Sequence, residues 1–376
     1  MKVPIVILGG GLAGLTAAIH LSKLGHEITV IEKNKYPKHK VCGEYISNEV
    51  VDYFNWLGLE NVIDRSHPIH NFRLEMDKSN FSEVTLPLGG FGISRYLLDD
   101  LLYKKAKSQN CHFIHEAIID VHFEKDVFTV LLSSGLEIEA QIVIGSFGKR
   151  SSIDVNLQRD FILKKADWVA VKSHYKGNFS DNLVGLYPFN GGYCGVSKIE
   201  NNELNICYIV KTNVFKKHKN ISNFTENVLF ENKGLKEILA NSQSLFENPL
   251  TISQISFDDK KAVENHVLMI GDAAGLIHPL CGNGMAMAIH SAKIVSELVD
   301  KSLKEATFSR SNLEQSYENT WHEAFKKRLN TGSLLSKLLL NPFLTKVSLK
   351  TVARFPLLFK FIIKKTHGKP IMTPSS

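Results

Sequence analysis

Near its start the chain reads Gly9-x-Gly11-x-x-Gly14, and Glu32 stands 18 residues after the last of these glycines. Three glycines at that spacing suit a phosphate cradle. The first allows a tight turn, the second lets a diphosphate approach the backbone, and the third permits a helix to pack closely on a strand. The donors expected there are the backbone amides of Leu12 and Ala13, at the positive end of the following helix. Glu32 is expected to accept hydrogen bonds from a ribose, and its charge would repel a 2′-phosphate. This loop by itself does not separate a nicotinamide dinucleotide from a flavin one.

A second cluster makes that separation. Val267-Leu268-Met269-Ile270-Gly271-Asp272 is followed by Pro279-x-Cys281-Gly282-x-Gly284. A short apolar run thus delivers an aspartate at its carboxyl end, where open α/β sheets bind ligands. An extended dinucleotide with a ribityl chain needs a hydroxyl acceptor at its middle, and Asp272 is the candidate. The helix opening near Gly284 would aim its amino-terminal dipole at a flavin's pyrimidine edge, where charge gathers on reduction. Gly282 and Gly284 would let the backbone come close to the ring. The cofactor implied is FAD. The plainer alternative is a strand-turn-helix corner with a capping aspartate.

The elements that must position these residues are legible around them. Val3 to Leu8 reads as a strand buried on both faces, Leu12 to Leu24 as a helix stopped by Gly25, and Glu27 to Glu32 as a second, parallel strand. Arg95 to Lys107 reads as a helix capped by Ser94, leading to a short strand at Cys111 to Ile114. Ala117 to Ala140 alternates as a three-stranded meander, and Ile142 to Ile144 reads as a return to the central sheet. Residues 166–256 are rich in short strand candidates that suggest a separate antiparallel sheet. The fold class expected is α/β plus β, a split Rossmann-type FAD-binding domain with an inserted antiparallel substrate-domain sheet and C-terminal helices. Residues 1–70, 89–150 and 260–303 are assigned to the FAD-binding domain. Residues 71–88 and 151–259 are assigned to the substrate domain, and 304–376 to a helical, basic and hydrophobic tail.

The glycine loop with Glu32, the helix opening Ser94-Arg95, and Gly271-Asp272 with Pro279-x-Cys281-Gly282-x-Gly284 resemble the FAD-dependent hydroxylase and geranylgeranyl reductase superfamily, with the p-hydroxybenzoate hydroxylase fold. The resemblance covers most of residues 1–300. It implies that Arg95 approaches the flavin's linker. It also implies that Lys40-Val41-Cys42-Gly43-Glu44 corresponds to the reductases' Cys-Gly segment near the flavin ring. Cys42 is then a candidate catalytic residue, and its alternative role is that of a small buried hydrophobe. Tyr187-Pro188-Phe189 with Gly191-Gly192-Tyr193 is similar to the family's aromatic segment facing the flavin, and equally fits ordinary sheet packing.

Two departures narrow the chemistry. Where family hydroxylases carry an acid after the meander, this chain has Phe147 within Gly145-Ser146-Phe147-Gly148-Lys149-Arg150, which puts direct NAD(P)H docking in doubt. The halogenase signature Trp-x-Trp-x-Ile-Pro is absent, since the tryptophans are Trp56, Trp168 and Trp321. The expected activity is that of an FAD-dependent oxidoreductase, with NAD(P)H or another electron donor. Hydroxylation of a hydrophobic aromatic, polyketide-like or lipid substrate stands first. Saturation of isoprenoid double bonds is the alternative, and a non-redox flavin-dependent cyclase or isomerase is a third reading.

Composition sets the remaining bounds. The net charge of +7 is concentrated in residues 333–365, which hold seven cations and no acid, and Lys369 adds another; removing these leaves residues 1–332 at −1. A nearly neutral body excludes an extended nucleic-acid footprint. Five cysteines without any Cys-x-x-Cys pair suit a reducing, cytoplasmic location and suggest neither a disulfide framework nor a metal site. The longest uncharged run of the tail, Leu338 to Thr345, has 8 residues. A bilayer needs ~20. Two arrangements fit: the tail lies on an anionic membrane surface at the inner face, or it caps the substrate sheet with a solvated basic side. Removal of residues 333–376 is expected to release the protein from anionic vesicles in a sedimentation assay; unfolding, or undiminished binding, would favour the cap.

Overall fold

The computed structural model describes residues 1–164, 166–339, 363, 365 and 367–373. Its first layer is a parallel sheet in which Lys2–Leu8 lies between Ile28–Ile31 and Glu137–Gly145, with Ile5 opposite Ile28 and Ile7 opposite Ile144. His112–Ile114 extends one edge and Val267–Met269 the other. Ile5, Val6, Ile7 and Leu8 are all fully buried, as a strand covered on both faces requires. The covering helices are Leu12–Lys23, Arg95–Ser108 and Gly284–Lys304, and the first packs on both others.

Local signals set these boundaries. Gly25 adopts φ +92°, and its amide and that of His26 close on the carbonyls of Ser22 and Leu21, ending the first helix in the left-handed manner glycine tolerates. Ser94 accepts a hydrogen bond from the Leu97 amide and opens the second. The last strand of the meander and the return strand, which the sequence suggests are separate, are one continuous strand. The first half of Glu137–Gly145 pairs antiparallel with Val127–Leu132, and its other edge pairs parallel with Lys2–Leu8.

The second layer is a nine-stranded sheet running Gln243–Ser244, Trp168–Lys176, Leu204–Lys211, Gly192–Lys198, Leu183–Phe189, His67–Asp77, Asn80–Gly92 and Tyr45–Ser47, with Leu250–Ile255 also on Trp168–Lys176. Period-two alternation sorts its residues. Val169, Val171, Cys194 and Val210 pack outward under the helices Ile221–Asn227 and Lys233–Ala240. Trp168, Ala170, Tyr193 and Ile209 face inward, towards Leu276 and Leu280 of the loop after Asp272. Tyr187 and Phe189 belong to the outward cluster, so they serve sheet packing and do not face the cofactor layer.

The helix Arg310–Leu339 packs along Gly284–Lys304. The remainder of the basic tail read at 333–365 lies outside the described residues apart from 363 and 365. No helix among the described residues is long and apolar enough to cross a membrane.

A buried cation braces the segment after Val267–Met269. Arg159, 1% exposed, pairs with the fully buried Asp154 at 2.9 Å and donates to the carbonyls of Ala273 (2.9 Å) and Lys261 (3.1 Å). It therefore braces the turn that carries Asp272. Arg159→Met leaves the Asp154 carboxylate buried without its partner, and about 3–5 kcal/mol of unfolding free energy should be lost; a denaturant midpoint unchanged from wild type would contradict this.

Candidate functional site

The glycine loop is shaped by what stands behind it. A Cβ on Gly9, at φ +106°, would meet the Ser146 carbonyl oxygen at 2.7 Å, and one on Gly14 would meet the Gly9 carbonyl oxygen at 2.1 Å. Neither position admits a side chain. Gly11 differs: a Cβ there would find only Lys40 Nζ at 3.8 Å and an Arg95 guanidinium nitrogen at 3.9 Å. Its front is open and is overlooked by two cations. The helix beyond it has no side-chain cap and no acid in its first turn, so the amides of Leu12 and Ala13 are left without helical partners. Amides, an open glycine face and two cations together form a seat for a diphosphate.

Gly10, which the motif leaves free, is also fixed. The Tyr36 hydroxyl donates to its carbonyl at 2.6 Å, and a Cβ would lie 1.9 Å from that hydroxyl. Glu32 accepts from the Gly10 amide (3.0 Å), the Asn34 amide (2.9 Å) and the Asn34 side chain (2.7 Å). Three of the roughly four acceptor positions on a carboxylate are thereby used. Its orientation is set before any ribose arrives.

Asp272 presents the contrast. It sits half-buried in the turn Gly271–Ala273, at the end of Val267–Met269, and its carboxylate takes no hydrogen bond among the described residues. The turn is clamped: Gly271, at φ +58°, would press a Cβ to 3.0 Å from that of Ala13, and its amide donates to Ser291 Oγ at 2.9 Å. Lys260 Nζ holds the Asp272 carbonyl at 2.8 Å, and burial lowers the Lys260 pKa to about 8. Beyond it, Gly282 takes φ +61°, while Gly284 opens the 21-residue helix without a side-chain cap or a first-turn acid. A Cβ on Gly284 would make only an ordinary contact with Ile277 at 3.6 Å, so packing does not by itself demand glycine there.

Arg95 joins these parts. Its guanidinium makes two bonds to Asp99, at 2.7 and 2.8 Å, and Lys40 contacts the same carboxylate at 2.9 Å. Burial opposes the charge on Arg95, but Asp99 outweighs it and the guanidinium stays charged. Cys42 and Asp272 both lie within electrostatic reach of it. The structure therefore brings Gly11, Arg95, Asp272 and Cys42 to one region. Asp99, four residues after Arg95, was legible as a helical partner; Lys40 was not.

Cys42 is half-buried, with its carbonyl and that of Gly43 held by Asn205 Nδ2 at 3.2 and 2.8 Å. The next residue, Glu44, was missed by sequence reasoning. It is fully buried at φ +54° and accepts from the Arg95 amide (2.6 Å), Lys172 Nζ (2.5 Å) and His174 Nε2 (2.7 Å). Burial alone would raise its pKa, yet His174 and Lys172 hold it below the ordinary carboxylate value. Both side chains come from the strand Trp168–Lys176 of the other sheet. No signal in a single sequence links positions that far apart.

Comparison with known proteins bears out a flavin cofactor. The model of the FAD binding domain family matches residues 2–327. The menaquinone reductase of Mycobacterium tuberculosis is 23% identical over 317 residues, covering 79% of this chain and 76% of that protein. The squalene monooxygenase of Mus musculus is 24% identical over 326 residues, covering 78% of this chain and 54% of that protein. Among solved structures, the flavin-dependent brominase Bmp2 superposes with a TM-score of 0.80 at 15% identity, covering 97% of this chain and 93% of that one; this is a likeness of fold.

Because the Asp272 carboxylate is unengaged while Glu32 is bonded within its own loop, the two acids should respond differently to removal. Asp272→Ala is expected to weaken FAD retention by tenfold or more, for the loss of about 1.5–3 kcal/mol of charged hydrogen bonding, with fold stability within about 0.5 kcal/mol of wild type. Retained yellow colour after gel filtration, or a large stability loss, would remove Asp272 from the cofactor site.

Proposed function

The chain belongs to the FAD binding domain family, and from that premise we propose that it is a reductase of hydrophobic, isoprenoid- or quinone-like substrates. As an FAD-dependent oxidoreductase it has hydride equivalents supplied by the cofactor when bound. The protein holds the diphosphate with the Leu12 and Ala13 amides and the Arg95–Lys40 pair, and the ribityl chain with Asp272. Gly9, Gly14 and Gly282 keep the backbone close, and Gly284 leaves the dipole of its helix free.

The observation that carries the choice of reduction is the immobilised Cys42–Gly43 segment. Addition of a hydride to a carbon–carbon or carbonyl double bond must be completed by a proton. Cys42 lies within electrostatic reach of Arg95, and the backbone around it is held by Lys172 at the Lys40 carbonyl and by Asn205 at the Cys42 and Gly43 carbonyls. Saturation requires a proton delivered to the substrate itself, which Cys42 Sγ would supply, whereas hydroxylation spends its proton on the oxygen that leaves as water. The mycobacterial reductase matches across comparable shares of both chains, whereas the monooxygenase matches over about half of its own length. Hydroxylation, placed first on sequence grounds, becomes the second reading, supported by that monooxygenase likeness.

The electron donor is NAD(P)H or another carrier. Phe147, in the place of the acid used by related hydroxylases, packs half-buried against Gly145. Nothing in its character favours a nicotinamide phosphate.

Anaerobic mixing of the photoreduced protein with a hydrophobic acceptor distinguishes the readings. Reduction predicts stoichiometric product without oxygen, and Cys42→Ser should slow it on the order of a hundredfold while FAD content is unchanged. Product that appears only with oxygen would reinstate hydroxylation, and full anaerobic activity in the serine variant would remove Cys42 as the proton source.

A further inference from the structure

His278 is not used by the cofactor site. It lies on the loop between Asp272 and the Gly284 helix, only 4% exposed, among Phe257 (ring centroids 4.5 Å), Trp168 (5.6 Å) and Tyr193 (5.8 Å). Its Nδ1 is 3.4 Å from the Tyr193 hydroxyl, and its Nε2 is buried with no hydrogen-bond partner among the described residues.

The position of the ring proton follows from counting bonds. Burial holds the imidazole neutral by lowering its pKa to about 4, so one nitrogen donates and the other accepts. If Nδ1–H donated to Tyr193, the buried tyrosine proton and the Nε2 lone pair would both be stranded. If Tyr193 donates to Nδ1, a single donor, Nε2–H, is left over. The second arrangement leaves fewer polar groups unpaired. A buried N–H donor therefore stands on the inward face of the substrate sheet, where its neighbours are apolar or aromatic. That apolar cluster runs on through Leu276 and Leu280 to the half-buried Val41, next to Cys42.

Resting on the reductase reading, we propose that His278 Nε2–H is the specificity-determining donor of this site. It bonds the oxygen of an apolar ring carbonyl, as in a quinone, and discriminates against isoprenoid hydrocarbon lacking oxygen. A hydrocarbon in the same place leaves the donor unpaired, and buried polar groups left unpaired are what make a site reject an otherwise similar molecule.

The test uses the full-length, FAD-loaded protein titrated with 2-methyl-1,4-naphthoquinone and with 2-methylnaphthalene, followed by perturbation of the bound flavin's visible spectrum. The wild type should bind the quinone about tenfold to a hundredfold more tightly. His278→Phe should weaken the quinone alone and bring the ratio below about threefold, and His278→Gln, which keeps an N–H, should restore part of it. FAD content and melting temperature, measured on each variant, show that the fold is intact. Equal wild-type affinities, a ratio unaltered in His278→Phe, or binding of neither probe would overturn the proposal. Because turnover of another lipid acceptor is measured separately, such a result would leave the reductase reading standing.

Discussion

The Glu44 carboxylate is the constraint on which the two layers depend. It lies fully buried at their junction and accepts one bond from the helix that carries Arg95 and two from the strand that carries Lys172 and His174. Burial of a charge is tolerable only when its lone pairs are filled, and here three strong donors fill them. The consequence is geometric. The second sheet cannot shift without stranding a buried ion, so Cys42, two residues earlier, keeps its place relative to the diphosphate seat.

The same logic separates the two acids read from the motifs. Glu32 is bonded within its own loop and stiffens the cradle, whereas Asp272 stands on a clamped turn with its carboxylate unbonded among the described residues. One shapes the site and the other is available to a ligand. Arg159 works from behind, holding the Ala273 carbonyl from a position that no motif marks. Preorganisation of this kind lets a cofactor bind without first ordering the protein around it.

The polar groups left unpaired are as informative as those that are paired. In the inner cluster of the second sheet His278 Nε2 has no bond among the described residues, while the outer cluster under residues 221–240 takes up Tyr187 and Phe189. A protein interior seldom keeps such a donor without use. The two faces of one sheet thus meet different partners, the outer the helices of residues 221–240 and the inner the loop after Asp272.

How much of this was legible in the sequence follows from the range of the interactions. The β-α-β unit, the glycine turn, the helix capped by Ser94 and the strand ending at Asp272 depend on neighbours within a few residues or on periodic burial, and a single chain displays both. The continuous strand Glu137–Gly145 was hidden because its two halves use different partners and so show different patterns. What only the tertiary structure decided was the pairing of residues more than a hundred positions apart: Glu44 with Lys172 and His174, and Arg159 with Ala273. It also decided which face Tyr187 and Tyr193 occupy. A strand's alternation says that two faces exist, but only packing against another layer says which of them meets the chemistry.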